Sequence, residues 1–330
     1  MMKEIIKSKK FAIILSHKGP DGDSIGSSVA LSIYLKKVGL ENKIIIPDRF
    51  PDFLGWIDQS NSILCATEIL DELHSYFKNA DIIFCLDFNQ RSRVGEIISP
   101  FLNKSSEKTV VVIDHHTFPE NFGDHEIIDT SASSTSELIY NFIKDNGDLE
   151  IIDKKIAQAI YLGLVTDTGS FKYSSTTSYT HKVASHLIEI GVDHSKIQNK
   201  VYDQKDINKV NLLGYALQKI KIDKVSSLAY LSLSEKELNK FKFKKGDTEG
   251  FVNHCLSLKG IEVGIFLRQD GNMVKISFRS KGLYKVNEFA KKFYNGGGHQ
   301  NAAGGLVINE EITNVEKDLI KNFRLFCLKG

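Results

Sequence analysis

Short apolar runs rich in β-branched residues recur along the first third of the chain, at Phe11–Leu15, Lys43–Ile46, Asp81–Leu86 and Thr109–Ile113. Their length and lack of polar alternation predict strands buried on both faces. Longer segments of helical period lie between them, Ser24–Val38 and Ile69–Asn79 among them, and Gly39 is placed to cap the first. Strands alternating with helices predict βαβ units and a doubly wound, mainly parallel sheet of the α/β class. From Ser131 to about Ile190 the pattern turns helical, best at Ser136–Lys144, Lys154–Val165 and Tyr179–Ile190.

The pattern then changes. Residues 196–222 are polar with a helical tendency and predict a connecting segment. Beyond them Leu228–Leu233, Glu262–Leu267 and Met273–Phe278 read as strands, the last two joined by a hairpin turn at Asp270-Gly271-Asn272. Helical patterns follow near Asp247–Ser257, Val286–Phe293 and Asn314–Phe326. The predicted organisation is an α/β domain over 1–195, a helical linker over 196–222 and a smaller α+β domain over 223–330.

Composition narrows the class. With 42 % apolar and 25 % charged residues the chain has a globular balance. No apolar run approaches the roughly 20 residues of a membrane span. The run Phe11–Leu15 is too short for a signal-peptide core, so no membrane partner and a cytoplasmic setting are expected. Cys65, Cys85, Cys255 and Cys327 form no C-x-x-C pair, which fits a reducing compartment. The net charge of +2 hides an asymmetry: residues 221–330 carry 19 Lys+Arg against 12 Asp+Glu, and residues 1–220 the remaining 24 against 29. An acidic half suited to cations precedes a basic half suited to anions.

The chemistry concentrates where strands end. The first strand runs into Ser16-His17-Lys18-Gly19-Pro20-Asp21-Gly22-Asp23, the next site strand into Asp87, and another into Asp114-His115-His116. Asp167 follows an apolar helical run. Open α/β sheets bind ligands at that carboxyl edge. Each segment has an ordinary explanation: Asp21-Gly22-Asp23 is spaced like part of a calcium loop but has Ile25 and Ser32 where further ligands belong, and a strand-end Asp often caps a helix. Together they are harder to dismiss, because burying several carboxylates in one place is costly without cations. Mixed His and carboxylate donors suit Mn²⁺, Fe²⁺, Co²⁺ or Zn²⁺ better than Ca²⁺ or structural zinc. Paired ions ~3.5–4 Å apart serve phosphate-ester hydrolysis.

At these residues the chain resembles the DHH phosphoesterases. Asp114-His115-His116 is similar to the family signature; His17…Asp21-x-Asp23, Asp87 and Asp167 match its other motifs in order. Gly296-Gly297-Gly298-His299-Gln300-Asn301-Ala302-Ala303-Gly304-Gly305 resembles the glycine-rich motif of the DHHA1 domain. The resemblance implies two divalent ions, with Mn²⁺ the leading identity. His17, Asp21 and Asp87 would hold one; Asp23, Asp87, His115 and Asp167 the other. It implies substrate contact by His116 as proton donor, with Asp114 orienting an imidazole or serving a purely structural role. Backbone N–H groups at Gly297 and Gly298, together with His299, would approach phosphate. The alternative there is a flexible turn between the Val286–Phe293 helix and a strand at Leu306–Ile308. Arg268 and Arg279 are candidates to grip phosphate or stack on a base, Arg279 more strongly than Arg268.

Compact size with a DHHA1-type tail resembles the branch that degrades very short 5′-phosphorylated RNAs and removes phosphate from 3′-phosphoadenosine-5′-phosphate, in a cleft between the two domains. The alternative substrates are linear or cyclic dinucleotides such as pApA and cyclic di-AMP. The alternative outside enzymology is a metal-dependent nucleotide-binding protein. A homodimer is left open.

Overall fold

The computed structural model describes residues 2–58, 62–102, 108–203, 206–244 and 246–327, and divides into two compact units, Met1–Gln204 and Lys205–Gly330. In the first unit, α1 (Met2–Lys7) precedes β1 (Phe11–Leu15), α2 (Gly22–Lys37), β2 (Glu41–Ile46), β3 (Ile63–Cys65), α3 (Leu70–Asn79), β4 (Ile82–Leu86), α4 (Gly95–Ile98), β5 (Thr109–Asp114) and β6 (His125–Ile128). Four helices complete it: α5 (Thr135–Asp145), α6 (Lys154–Asp167), α7 (Ser178–Glu189) and α8 (His194–Tyr202). Among the described residues the strands form one six-stranded, all-parallel sheet in the order β3-β2-β1-β4-β5-β6.

Burial explains the unbroken apolar runs. Alternate residues of the central strands feed two separate cores, one on each face. Ala12, Ile14, Ile82, Phe84, Leu86, Val111 and Ile113 join one core. Ile13, Leu15, Ile83, Cys85, Val110 and Val112 join the other. Both faces being dry, neither set can be polar. The edge strands β3 and β6, not predicted from sequence, are short and mostly half-buried, so their pattern carries no such signal.

The helix α2 departs most from an amphipathic pattern. Residues Gly22 to Ser32 are buried on every side. Small residues make that possible: a Cβ on Gly26 would lie 2.5 Å from the Ala159 carbonyl oxygen of α6, so only glycine permits this approach. The Ser27 and Ser28 hydroxyls are satisfied within the helix, donating to the carbonyls of Asp23 at 2.7 Å and Ser24 at 2.6 Å.

The second unit begins with α9 (Ile207–Gln218), followed by β7 (Lys221–Asp223), β8 (Leu228–Leu233), α10 (Glu235–Lys240), α11 (Phe251–Leu256), β9 (Val263–Asp270) and β10 (Met273–Ser280). It closes with α12 (Val286–Phe293), β11 (Gly297–His299), β12 (Ala302–Ile308) and α13 (Ile312–Cys327). The sheet order is β11-β12-β10-β9-β8-β7, antiparallel except for β8 and β9. Leu228, Ile265, Ile276 and Phe278 face a core shared with α12 and α13; Ala229, Leu231 and Phe266 face another with α9 and α11.

Two expectations change. The helix anticipated over Asp247–Ser257 is confined to Phe251–Leu256, because Gly250 stands before it at φ 80°. The glycine motif is a paired hairpin instead of an open loop: Gly297 to His299 pair with Gly304 to Ala302, and β12 starts at Ala302 instead of Leu306. Its ladder is made by backbone groups with almost no side chains, so no hydrophobic alternation betrays it. Among the described residues no helix is long and apolar enough to cross a membrane.

Candidate metal centre

Strand register brings the first candidates to one level. Leu15 pairs with Cys85 and Leu86 with Ile113. Two steps past Leu15 is His17, two past Cys85 is Asp87, and one past Ile113 is Asp114. Three neighbouring strands, ~4.8 Å apart, therefore present these residues side by side at their carboxyl ends. The strand order reverses between β1 and β4, which opens a crevice for a ligand at that point. Asp87 turns out of β4 with φ 64°, a left-handed conformation that costs about 1–3 kcal/mol for a residue with a side chain.

Helix ends supply the remaining donors. Asp21 caps α2, its Oδ1 accepting from the backbone N–H of Asp23 at 3.1 Å and Ser24 at 3.0 Å. Asp23 lies in the first turn, and Asp167 is the last residue of α6. The glycine contacts between α2 and α6 draw these two ends together. A Cβ on Gly22 would lie 2.3 Å from Thr166 Cγ2, and one on Gly163 1.9 Å from Ser136 Oγ and 2.5 Å from Asp23 Oδ1.

The donors fall into three overlapping groups, His17/Asp21/Asp87, Asp23/His115/Asp167 and Asp87/His115/His116, with the donor atoms of each group within 4.8 Å of one another. Asp87 Oδ2 is 3.3 Å from His17 Nε2, and its Oδ1 is 3.6 Å from both His115 Nε2 and His116 Nδ1. Asp167 Oδ2 is 3.3 Å from His115 Nε2. One carboxylate thus faces two imidazole-bearing sides.

Neighbours set each imidazole's tautomer. A carbonyl only accepts, so the 3.0 Å contact of His17 Nδ1 with the Lys18 carbonyl puts the proton on Nδ1 and turns Nε2 to Asp87. His115 Nδ1 contacts the Ala132 carbonyl at 3.4 Å. His116 Nδ1 lies 2.7 Å from Asp114 Oδ1. Asp114 is fully buried, and its Oδ2 has no hydrogen-bonding partner among the described residues. Asn89 pins the segment, donating to the His116 carbonyl at 2.7 Å.

The charges are in tension without cations. Burial works against a charged His17, but the Asp87 carboxylate and then Asp21 raise it to about 9. His115 also rises to about 9: burial opposes its charge and is outweighed by Asp87, Asp167 and Asp23. Asp23 is pushed up to about 7 by burial and by Asp87. Asp167 rises well above the carboxylate range for the same reasons, burial first and then Asp23. Asp87 alone is lowered, burial being overcome by His17, His116 and His115. Buried carboxylates that hold protons for want of counter-charge, beside imidazoles whose Nε2 atoms turn inward and would give up their protons to a cation, fit a pair of divalent cations.

Two residues of the cluster had no signal of their own in the sequence. Thr135 and Ser136, at the start of α5, donate backbone N–H groups to Asp23 Oδ2 at 2.7 Å and Oδ1 at 2.9 Å. The Thr135 hydroxyl donates to Asp87 Oδ1 at 2.9 Å. The run Ser131-Ala132-Ser133-Ser134-Thr135-Ser136, small hydroxyl residues ahead of an apolar helix, is the pattern that marks them.

The second unit's candidates divide. Arg279 is the register partner of Ala302 and Gly264, which puts it beside the glycine hairpin. Arg268 pairs with Lys275, four residues away from Arg279 along β10 and about 13 Å distant at strand rise. An antiparallel hairpin sends its two strand ends in opposite directions, so the two candidate arginines lie apart along the sheet. Arg268 is held locally, its guanidinium 5.0 Å over the Phe243 ring and 3.1 Å from Thr248 Oγ1. Gly297 and Gly298 lie in β11, Gly298 at φ 137°. His299 shares that strand, and its side chain lies outside the described residues.

Residues 12–164 match the DHH family N-terminal domain and residues 225–326 the DHHA1 domain. The bifunctional oligoribonuclease and PAP phosphatase NrnA of Bacillus subtilis is 30% identical over 311 residues, covering 93% of each chain. NrnA of Thermus thermophilus is 29% identical, covering 92% of this chain and 86% of that one. The crystal structure of an exopolyphosphatase-related protein from Bacteroides fragilis superposes with a TM-score of 0.95 at 37% identity, covering 100% of this chain and 96% of that one.

Proposed function

Because the chain belongs to the DHH family and carries its DHHA1 domain, we propose that it hydrolyses the phosphate esters of short 5′-phosphorylated oligoribonucleotides and of 3′-phosphoadenosine-5′-phosphate. It is a metal-dependent phosphoesterase. The reading rests above all on one observation: carboxylates and imidazoles from four separate segments converge, largely buried, at the carboxyl edge of the parallel sheet.

His17, Asp21 and Asp87 would hold one ion, and Asp23, Asp87, His115 and Asp167 the other, with Asp87 common to both sets. The donor set suits Mn²⁺, Fe²⁺, Co²⁺ or Zn²⁺, and membership of the family makes Mn²⁺ the leading identity. Bound there, two divalent ions supply Lewis acidity to the phosphoryl oxygens and acidify an attacking water. The chain's own groups then decide direction and proton flow. Asp114 keeps the His116 proton on Nδ1, so the proton delivered to the leaving oxygen comes from Nε2 of the imidazolium. Thr135 and Ser136 hold Asp23 in place. In the basic second half, Arg279 and the backbone of Gly297 and Gly298, with His299, bind a phosphate of the nucleotide. Short oligonucleotides offer few phosphates, so few cations are needed. The four unpaired cysteines suit a reducing cytoplasm.

The test is a panel with Mn²⁺: 3′-phosphoadenosine-5′-phosphate, di- to pentaribonucleotides, linear and cyclic dinucleotides, pyrophosphate and long single-stranded DNA. The expected order of kcat/KM puts the first two classes ahead. Preference for cyclic di-AMP or pApA would favour a dinucleotide phosphodiesterase instead. No hydrolysis of any member, with metal bound, would favour a nucleotide-binding protein.

A further inference from the structure

A carboxylate that bridges two ions through both of its oxygens must aim one at each, and Asp87 turns Oδ2 to His17 and Oδ1 to His115. Asp87 meets that condition only while its side chain keeps one rotation, and the terminal torsion of an aspartate is broad and weakly restrained by itself. Two observations show what restrains it. The Thr135 hydroxyl donates to Asp87 Oδ1 at 2.9 Å, the oxygen that faces His115. Thr135 is fully buried at the first position of α5, so its hydroxyl has no water to turn to. Its backbone N–H donates at 2.7 Å to Oδ2 of Asp23, a carboxylate on a different element 64 residues earlier in the chain than Asp87.

We infer that Thr135 is a positioning residue that sets the spacing of the two ion sites by tying Asp87 and Asp23 to one rigid point. The inference rests on the two-ion reading above. First-turn N–H groups have no partner within their own helix and carry its positive end, so a carboxylate takes them readily. The helix start is itself fixed, because Ser134 accepts from the Glu137 N–H at 3.1 Å and Ser133 donates to the Glu137 carboxylate at 2.8 Å. The hydroxyl occupies one lone pair of Asp87 Oδ1 and leaves the other available to an ion. Partners of this kind behind metal ligands change affinity by about 10–100-fold when removed.

The experiment compares the full-length chain with Thr135→Val, which keeps shape and backbone N–H but loses the hydroxyl, and with Thr135→Ser, which keeps the hydroxyl. Mn²⁺ uptake is followed by calorimetry, and the magnetic coupling of the pair by electron paramagnetic resonance. Thr135→Val is expected to bind the second Mn²⁺ about 10–100-fold more weakly and to lose the coupled signal. Thr135→Ser is expected to restore both. A purely structural role would lower the melting temperature of the metal-free chain without this split between Val and Ser. Should Thr135→Val misfold, Thr135→Ala, which has no γ-methyl group to place against the carboxylate, is expected to show the same loss. Normal two-ion binding by the wild type and by the hydroxyl-lacking variant alike would overturn the inference alone. Uptake of fewer than two ions by the wild type would overturn the two-ion reading and the inference with it.

Discussion

The contact between α6 and the start of α5 makes Gly163→Ala the sharpest test of how the site is held. A Cβ at this position would stand 1.9 Å from Ser136 Oγ, 2.6 Å from Ser136 Cβ and 2.5 Å from Asp23 Oδ1, where real side chains keep at least 3.0 Å. The Ser136 hydroxyl, without a hydrogen-bonding partner of good geometry among the described residues, can rotate away. Its Cβ cannot, being fixed to the helix backbone. The helices must therefore part by about 0.4 Å, and Asp23 Oδ1 must retreat by about 0.5 Å, the shortfalls from that limit. Both bonds that hold Asp23, at 2.7 Å and 2.9 Å, are stretched by such a move. Overpacking of this kind costs about 1–3 kcal/mol, and the better helix propensity of alanine returns about 1. The net loss of up to about 2 kcal/mol lowers the melting temperature by as much as roughly 8 °C for a unit of this size. The site should suffer more than the fold, since a misplacement of about 1 Å can cost 100-fold in rate. We expect at least a tenfold fall in kcat/KM with weaker Mn²⁺ binding, read by calorimetry and steady-state kinetics. A Gly163→Ala chain more stable than wild type, with full turnover and full metal affinity, would refute the reasoning.

Three further outcomes follow from the same geometry. Asp87→Asn, which tolerates the positive φ, and Asp87→Ala should both reduce turnover to the level of the metal-free chain; near-normal rates in a steady-state assay would contradict a shared ligand. Arg279→Ala should raise KM roughly tenfold with kcat little changed, the loss of about one charge-assisted hydrogen bond, and an unchanged KM would remove Arg279 from the substrate. In the metal-free chain His17 and His115 keep their protons to about 9 against an ordinary 6.5, and Asp23 to about 7 against 3.8. Groups with raised folded-state pKa stabilise below the unfolded value and lose that contribution as pH climbs through the folded one. The metal-free melting temperature should thus fall between pH 6.5 and 9, while Mn²⁺ affinity rises over the same window because ligands must shed protons to bind. A melting temperature flat in pH after treatment with a chelator would count against this.

Local signals were strong wherever burial was complete. Strand β1 runs as its pattern predicted, and β4 and β5 differ by a residue at one end, because a strand dry on both faces must be apolar throughout; the amphipathic helix α12, which buries Val286, Phe289 and Ala290, also runs as predicted. The edge strands β3 and β6 were invisible for the converse reason. The glycine hairpin was hidden because backbone groups alone pair it. The ligand-bearing residues could be named from their types and strand-end positions, without any view of what stood beside them.

Composition and order along the chain determined which side chains can bind cations and that strands deliver several of them to one edge. Register decided that His17, Asp87 and Asp114 stand level. Helix packing decided the rest: glycines at 22, 26 and 163 let α2, α5 and α6 close to a distance no Cβ permits, which brings Asp23 under the Thr135 and Ser136 amides and Asp167 against His115. The separation of Arg268 from Arg279 likewise came from an antiparallel turn. A residue's chemistry is local and can be read one letter at a time. Its partners are chosen by how buried surfaces fit, and that depends on segments a hundred residues away.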